Sequence, residues 1–371
     1  MKKSKDQKRK SKLKKQAEYQ KQKEDQRKRE MSASLLDKME DGNEFLSAIQ
    51  YPLNHDAVKE DILKALNNLA NIRKRNIVCY AANDLNPSIE NNTIEQSDEA
   101  PFNNMLHQIN DTNVDIAVMT PGGIVETVED IVEFIQCKFS SVSFIVLHKA
   151  MSAGTILCLS GDELIMNEQA RLGPIDPQVV SRYNMSLPIQ TLQTVLKAHK
   201  KKKYDWLDEN IIKTIDPKEV GMMCDISRRT FKLIKTYLTK SHLTKSDTPE
   251  QIIKTAKKLT NHSVWLSHGT HITRNIAENE CALKITHPEQ TNGLDRAIRQ
   301  LDALLRVLFV QRNISKVYAT QKDVVFLVET KNASPNTDTP KNNIPGSLQQ
   351  WPYKPIYPQK LKAEGWRVKA R

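Results

Sequence analysis

No apolar run in this 371-residue chain approaches the roughly eighteen to twenty residues that a helix needs to cross a bilayer, and the N-terminus lacks the apolar segment of a secretory leader. The expected location is therefore cytoplasmic, with any membrane contact peripheral. The five cysteines, Cys79, Cys137, Cys158, Cys224 and Cys281, form no Cys-x-x-Cys pair and lie mostly in apolar surroundings. They read as reduced, buried small hydrophobes, which argues against a disulfide framework. The motifs that cradle phosphates are missing as well: no Gly-x-Gly-x-x-Gly and no Gly-Lys-Ser/Thr stands near the chain's one Gly-Gly pair. Dinucleotide and P-loop chemistry are thereby excluded at that turn.

What the chain has in excess is positive charge, +12 formally, and most of it sits at one end. Residues 1–30 carry fourteen Lys and Arg against five Asp and Glu, a surplus of nine. Residues 1–32 read as a flexible basic arm, able to touch nucleic acid or an anionic membrane weakly through non-specific electrostatics. The ordinary alternative is a solvated arm with no partner. Residues 331–371 read as a second flexible segment, polar and rich in proline, with Trp351, Tyr353, Tyr357 and Trp366 spaced along it.

Between these ends the apolar pattern alternates in period. Val58, Ile62, Leu66 and Leu69 recur at helical spacing within 56–73, and Ile77–Ala82 then reads as a buried strand. A second unit follows, with a strand at Val114–Met119 and a helix presenting Val125, Val128, Val132 and Ile135 on one face. Then come a strand at Val142–Leu147, a helix from Ser152 through Leu159 and a short strand at Glu163–Asn167. Strands alternating with helices specify an α/β core on a mostly parallel sheet. From about residue 187 the pattern is mainly helical, near 187–204, 217–240, 249–259, 270–280 and 294–312, with a late strand at Asp323–Val328. The domain reading is an arm (1–32), a catalytic-type domain (33–290), a C-terminal helix and strand (291–330) and a tail (331–371).

Two strand-to-helix turns carry chemistry. In Met119-Thr-Pro-Gly-Gly123 two consecutive glycines let the backbone point N–H groups into a pocket with no Cβ in the way. In Lys149-Ala-Met-Ser-Ala-Gly-Thr155 a serine stands at the start of a helix, beside unpaired N–H groups and small neighbours. Taken singly, the first is ordinary turn punctuation and the second an ordinary N-cap. Together, on successive units, they are the parts of an acyl-transfer site: a nucleophile facing donors for an oxyanion.

Pro121-Gly-Gly123, Ala150-Met-Ser-Ala-Gly-Thr155, Ile165-Met-Asn167 and Leu172-Gly-Pro-Ile-Asp-Pro-Gln178 together resemble the ClpP/crotonase-type serine peptidases, over roughly residues 75–290. Within that group the pattern is most similar to the serine dehydrogenase proteinase branch, related to the SppA signal peptide peptidases. The resemblance implies a ClpP/crotonase-like spiral of ββα units, here with a C-terminal helical extension, assembly into a homo-oligomer, no cofactor, and hydrolysis of peptide or protein substrates by Ser152. It also implies an oxyanion hole from Gly122, Gly123 and the N–H of Ala153.

One departure stands out. Where ClpP carries its catalytic histidine, this chain reads Gly173-Pro-Ile-Asp-Pro177. The SppA group uses a lysine from a later segment as the base, a variant of the serine triad. Helical phase ranks the lysines here: with Leu192, Val195, Leu196 and His199 inward, Lys203 falls near the middle of the stripe, and crowding by Lys200, Lys201 and Lys202 depresses its basicity. Lys203 is the expected base, its alternative being the end of a solvated charge run. His268, in the segment Asn261–Gly269 with Trp265, and Asp176 are expected supporting residues, each with a plain structural alternative. The spacing of His262, His268 and His271, with no carboxylate or cysteine set nearby in sequence, gives no zinc motif.

The expected function is hydrolysis of unfolded or membrane-derived peptides. Its rivals are a crotonase-like acyl-CoA enzyme, which needs the oxyanion hole but no serine, and a non-catalytic scaffold acting through the basic arm.

Overall fold

The computed structural model describes residues 34–328, apart from 52, 54, 86–88, 90, 181–185 and 189–216, together with 363–364. One mixed sheet of nine strands organises it, in the order β11-β10-β9-β1-β2-β3-β5-β8 with β4 also paired to β3. Here β1 is Asn76–Ala82, β2 Asn113–Thr120, β3 Ser141–Ala150, β4 Glu163–Met166, β5 Arg171–Leu172, β8 Ile272–Thr273, β9 Ile314–Thr320, β10 Val324–Val328 and β11 Ala363–Glu364. Strands β1 to β5 run parallel where they pair, while β8 and β9 join antiparallel at the two sides. A separate hairpin pairs β6 (Gln178–Val180) with β7 (Ser186–Pro188).

The central strands are buried on both faces, which is why they read as near-continuous apolar runs. Val78 and Tyr80 of β1, with Val114, Ile116 and Val118 of β2, face one core, packed under helices α3 (Glu99–His107), α4 (Val125–Lys138) and α5 (Ala153–Leu159). Ile77, Cys79 and Ala81 face the other, together with Ala117, Met119, Ile145 and Leu147. That second core is closed by α1 (Glu44–Ile49), α2 (His55–Arg73) and the late helix α10 (Leu294–Gln311). Val58, Ile62, Leu66 and Leu69 of α2 are all buried at the expected helical spacing.

Within the described residues the expected elements hold with shifted ends, and two open as strands. The segment 270–280 begins as β8, because Ile272 pairs with Leu172 and Thr273 with Arg171, and only Arg274–Asn279 (α9) is helical. Of the helix expected over 187–204, residues 187–188 belong to strand β7, Leu187 pairing with Val179, and the rest lies outside the described residues. Helices α6 (Pro217–Ser241) and α7 (Pro249–Leu259) lie where the periodicity put them. The late strand pairs with β9, which lies in residues that the apolar pattern assigned to no element.

Charge is placed at the end of the sheet where β1 to β4 begin. Arg73 donates to Asp115 (2.7 Å) and Glu163 (2.5 Å), and Arg75 reaches the other oxygen of Asp115 at 2.5 Å. The opposite end, where parallel strands give way to helices, is the usual location of sites in open α/β sheets. The glycine turn after β2 and the serine turn after β3 both lie there.

Candidate functional site

The serine turn is strained. Ser152 adopts φ +50°, ψ −116°, a conformation that a residue with a Cβ rarely takes and that costs on the order of 1–3 kcal/mol. Its side chain makes no capping bond, so the ordinary explanation for a serine at a helix N-terminus fails. The turn is instead held by its backbone. Met151 N–H donates to Thr120 O (3.0 Å), Gly154 N–H to Met151 O (2.8 Å) and Thr155 N–H to Ser152 O (2.9 Å). The Thr155 hydroxyl donates to Ala150 O (2.7 Å) and accepts from Gly173 N–H (3.0 Å), stitching the end of β3 to the end of β5. A serine held in this way against its preference is the arrangement that exposes a nucleophilic hydroxyl.

The glycine turn is pressed against it. A Cβ on Gly122 (φ +103°) would lie 2.8 Å from Ser152 Cβ, 2.7 Å from Met151 O and 3.3 Å from Ala153 N, so only glycine permits this approach. A Cβ on Gly123 (φ +152°) would lie 2.2 Å from Ile94 O. Ile94 clasps the turn from that side: its N–H donates to Gly122 O (2.7 Å) and its carbonyl accepts from Ile124 N–H (2.8 Å).

The donors are not equivalent. Gly122 N–H already donates to Thr120 Oγ1 at 3.1 Å, which makes Gly122 a spacer rather than a ready donor. No described residue accepts from the N–H of Gly123 or of Ala153. Ala153, fully buried, opens α5, so its N–H has no intrahelical partner either.

Asp176 is buried to 1 % exposure beside this site and holds two imidazoles. Its Oδ1 accepts from His268 Nδ1 at 2.6 Å, and its Oδ2 from His262 Nδ1 at 2.8 Å and Gln178 Nε2 at 2.9 Å. Burial works against the charged form, but the hydrogen bond and charge of His268, then the bond from His262, outweigh it and hold the carboxyl below its ordinary value. The sequence had offered Asp176 and His268 separately. Their pairing, and the third member His262, emerge only when β5 and β8 lie side by side. A textual signal did exist, an Asp fixed between two prolines and a Trp-centred segment with a histidine at each end.

Lys203 lies outside the described residues. Its expected helical phase was counted from residue 187, and 187–188 belong to β7. Lys149, three residues before Ser152, is ion-paired with Asp84. Among the described residues no helix is long and apolar enough to cross a membrane.

Two curated proteins of Methanocaldococcus jannaschii match: Uncharacterized protein MJ0137, 28% identical over 49% of this chain and 56% of the relative, and Uncharacterized protein MJ1495, 29% identical over 39% and 44%. The chain thus spans about half the length of the curated relatives it matches. Among solved structures, the 1510-N membrane-bound stomatin-specific protease (S97A mutant) aligns with TM-score 0.36 and 16% identity over 55% of this chain and 79% of that one. ClpP1 from Listeria monocytogenes aligns with TM-score 0.33 and 15% identity, over 60% and 95%. The family model of the ClpP-like SDH-type serine proteinases matches residues 85–288, more than half of the chain and the stretch that holds both turns, Asp176 and both imidazoles, and the chain belongs to that family.

Proposed function

We infer that this chain hydrolyses peptide bonds through an acyl-enzyme on Ser152. The observation that carries the reading is the packing of Gly122 on the strained Ser152 turn, which sets a hydroxyl that caps nothing beside two N–H groups, on Gly123 and Ala153, that no described residue uses. In this reading Ser152 Oγ attacks the scissile carbonyl carbon, and the charge that develops on the carbonyl oxygen is received by those two N–H groups. A group that accepts the serine proton then delivers it to the leaving amine, and water releases the acyl group. Lys203 is the acceptor that the sequence suggests.

The substrate class follows from access. A scissile amide must lie extended across the two abutting turns with its carbonyl oxygen turned toward the N–H pair, which backbone inside a folded domain cannot do. Unfolded or membrane-derived peptide segments meet that requirement.

The test is covalent labelling. A fluorophosphonate probe is expected to attach to Ser152 of the purified full chain, and Ser152→Ala to lose both labelling and peptide hydrolysis while staying folded. An acyl-CoA enzyme on the same fold would bind acyl-CoA and leave Ser152 unlabelled, an outcome that removes the peptidase reading.

A further inference from the structure

We propose that Thr120 is the positioning residue that aims the oxyanion donors at Ser152, its hydroxyl orienting the glycine turn while its carbonyl and methyl group hold the serine turn. This rests on the acyl-enzyme reading above and names what keeps its two halves in register.

Thr120 ends β2 and is fully buried, so its hydroxyl has to find partners inside the protein. It finds one two residues on. Gly122 N–H donates to Thr120 Oγ1 at 3.1 Å, which closes a side-chain turn around Pro121, whose ring fixes one φ and brings no N–H of its own. That bond turns the Gly122 N–H away from any substrate.

The next peptide unit is fixed from its other side. Ile94 N–H donates to Gly122 O at 2.7 Å, and in a trans peptide the carbonyl and the N–H that follows it point in opposite directions. Gly123 N–H therefore points away from Ile94. Ile94 follows β1 and bridges Gly123 on the β1 side of β2, whereas the serine turn follows β3, which lies on the other side of β2. The N–H of Gly123 is thus aimed across toward Ser152. Gly122 could not hold this plane by itself, since at φ +103° it has no side chain to limit its rotation. Thr120 Oγ1 and Ile94 N–H hold it.

The rest of Thr120 locates the nucleophile. Its carbonyl accepts from Met151 N–H at 3.0 Å, one residue before the serine. Its methyl group lies against the first turn of α5: a Cβ on Gly154 would stand 2.4 Å from Thr120 Cγ2, so the helix that supplies the Ala153 N–H is seated on this side chain. One residue touches both turns. The ladder between β2 and β3 shows why such a contact is needed, for pairing runs in step from Asn113 with Ser141 to Val118 with Val146, then slips, and Thr120 meets Ala150. Past that slip the contacts of Thr120, not the ladder, set the spacing of the two turns. Threonine alone combines what they require, because serine lacks the methyl group and valine the hydroxyl.

The experiment measures the rate at which a fluorophosphonate probe labels Ser152, with kcat and KM for a fluorogenic peptide, in the full chain and in Thr120→Ser, Thr120→Val and Thr120→Ala. Thr120→Val is expected to slow labelling about a hundredfold, the scale of losing one oxyanion donor, while Thr120→Ser stays within about threefold of the parent. The loss should fall on kcat with KM nearly unchanged, because the donors act on charge that exists only in the transition state, a pattern that a merely structural threonine would not produce. Thr120→Ala removes the hydroxyl without adding bulk, so it should repeat the loss and carries the test if the valine variant does not fold. Thr120 stands three strands from β8 in the sheet, so the bonds of Asp176 to His262, which opens α8 (His262–Trp265), and to His268 stay in place in all three variants. Parental labelling in Thr120→Val or Thr120→Ala, equal losses in Thr120→Ser and Thr120→Val, or a rise in KM at parental kcat would each overturn the assignment. If the parent itself is not labelled at Ser152, it is the acyl-enzyme reading that fails, and this one with it.

Discussion

The strain at Ser152 and the role proposed for its hydroxyl can be separated by mutation. Its φ of +50° is tolerated by glycine at little cost, whereas alanine bears the same strain as serine. Relief of roughly 1–3 kcal/mol, set against about 0.5–1 kcal/mol of extra chain entropy for glycine, leaves a net gain of about 1 kcal/mol. Ser152→Gly should therefore unfold about 2–4 °C above Ser152→Ala in a domain of this size, with both variants unreactive toward the probe. Equal midpoints for the two variants would show that the turn is not strained. At this scale the sequence was most legible where chemistry demands a particular residue. Two adjacent glycines and a serine flanked by small residues identify themselves, because no other residues satisfy such a close approach. It was least legible for His262, whose bond to Asp176 depends on a partner far along the chain.

Elements are legible when their periodicity is strong and local. Helix α2 and strands β1 to β3 were expected within a few residues, whereas β8 is two residues long and exists only because β5 offers it a ladder. The hidden contribution of β9 matters more. Lys316 and Tyr318, on one face of that strand, converge on Asp98 Oδ1 at 2.6 and 2.5 Å, while Tyr80 of β1 donates to Oδ2 at 2.9 Å. All four side chains are essentially inaccessible to water. Burial first, then the Asp98 charge, push both tyrosines well above their ordinary range, so each remains a donor. Asp98 Oδ2 also accepts from Glu95 N–H at 3.0 Å, next to the Ile94 that clasps the glycine turn. The network thus ties the glycine turn to the sheet. Lys316→Met would leave a buried carboxylate uncompensated and should cost about 3–5 kcal/mol, while adding Asp98→Asn to it should recover part of the loss. Denaturant unfolding of the two single variants and the double measures the coupling, and additive losses would show that the pair is not a unit. Labelling of Ser152 in Lys316→Met, at a temperature where the variant is folded, should fall as the clasp at Ile94 loosens.

On the scale of the whole molecule, the distribution of charge separates from the chemistry. The surplus of nine positive charges in residues 1–30 is most of the total of +12, so a chain starting at residue 33 carries only +3. The elements that build the site, from β2 to β8, and the carboxylates that pair with its cations, lie wholly outside that arm. The two properties should therefore come apart on truncation. Binding to a polyanionic surface through the arm releases condensed counterions, and its affinity falls steeply with salt in proportion to the contacts made. The full chain should bind polyphosphate or anionic vesicles at low ionic strength and detach as salt rises past the range where the Debye length drops below about 10 Å. The chain lacking residues 1–32 should lose that association while labelling at Ser152 at the parental rate. Retention of salt-sensitive binding after truncation would place the polyanion contact on the folded α/β body. Loss of labelling on truncation would mean that the arm contributes to the site, a coupling that no charge argument on this sequence requires.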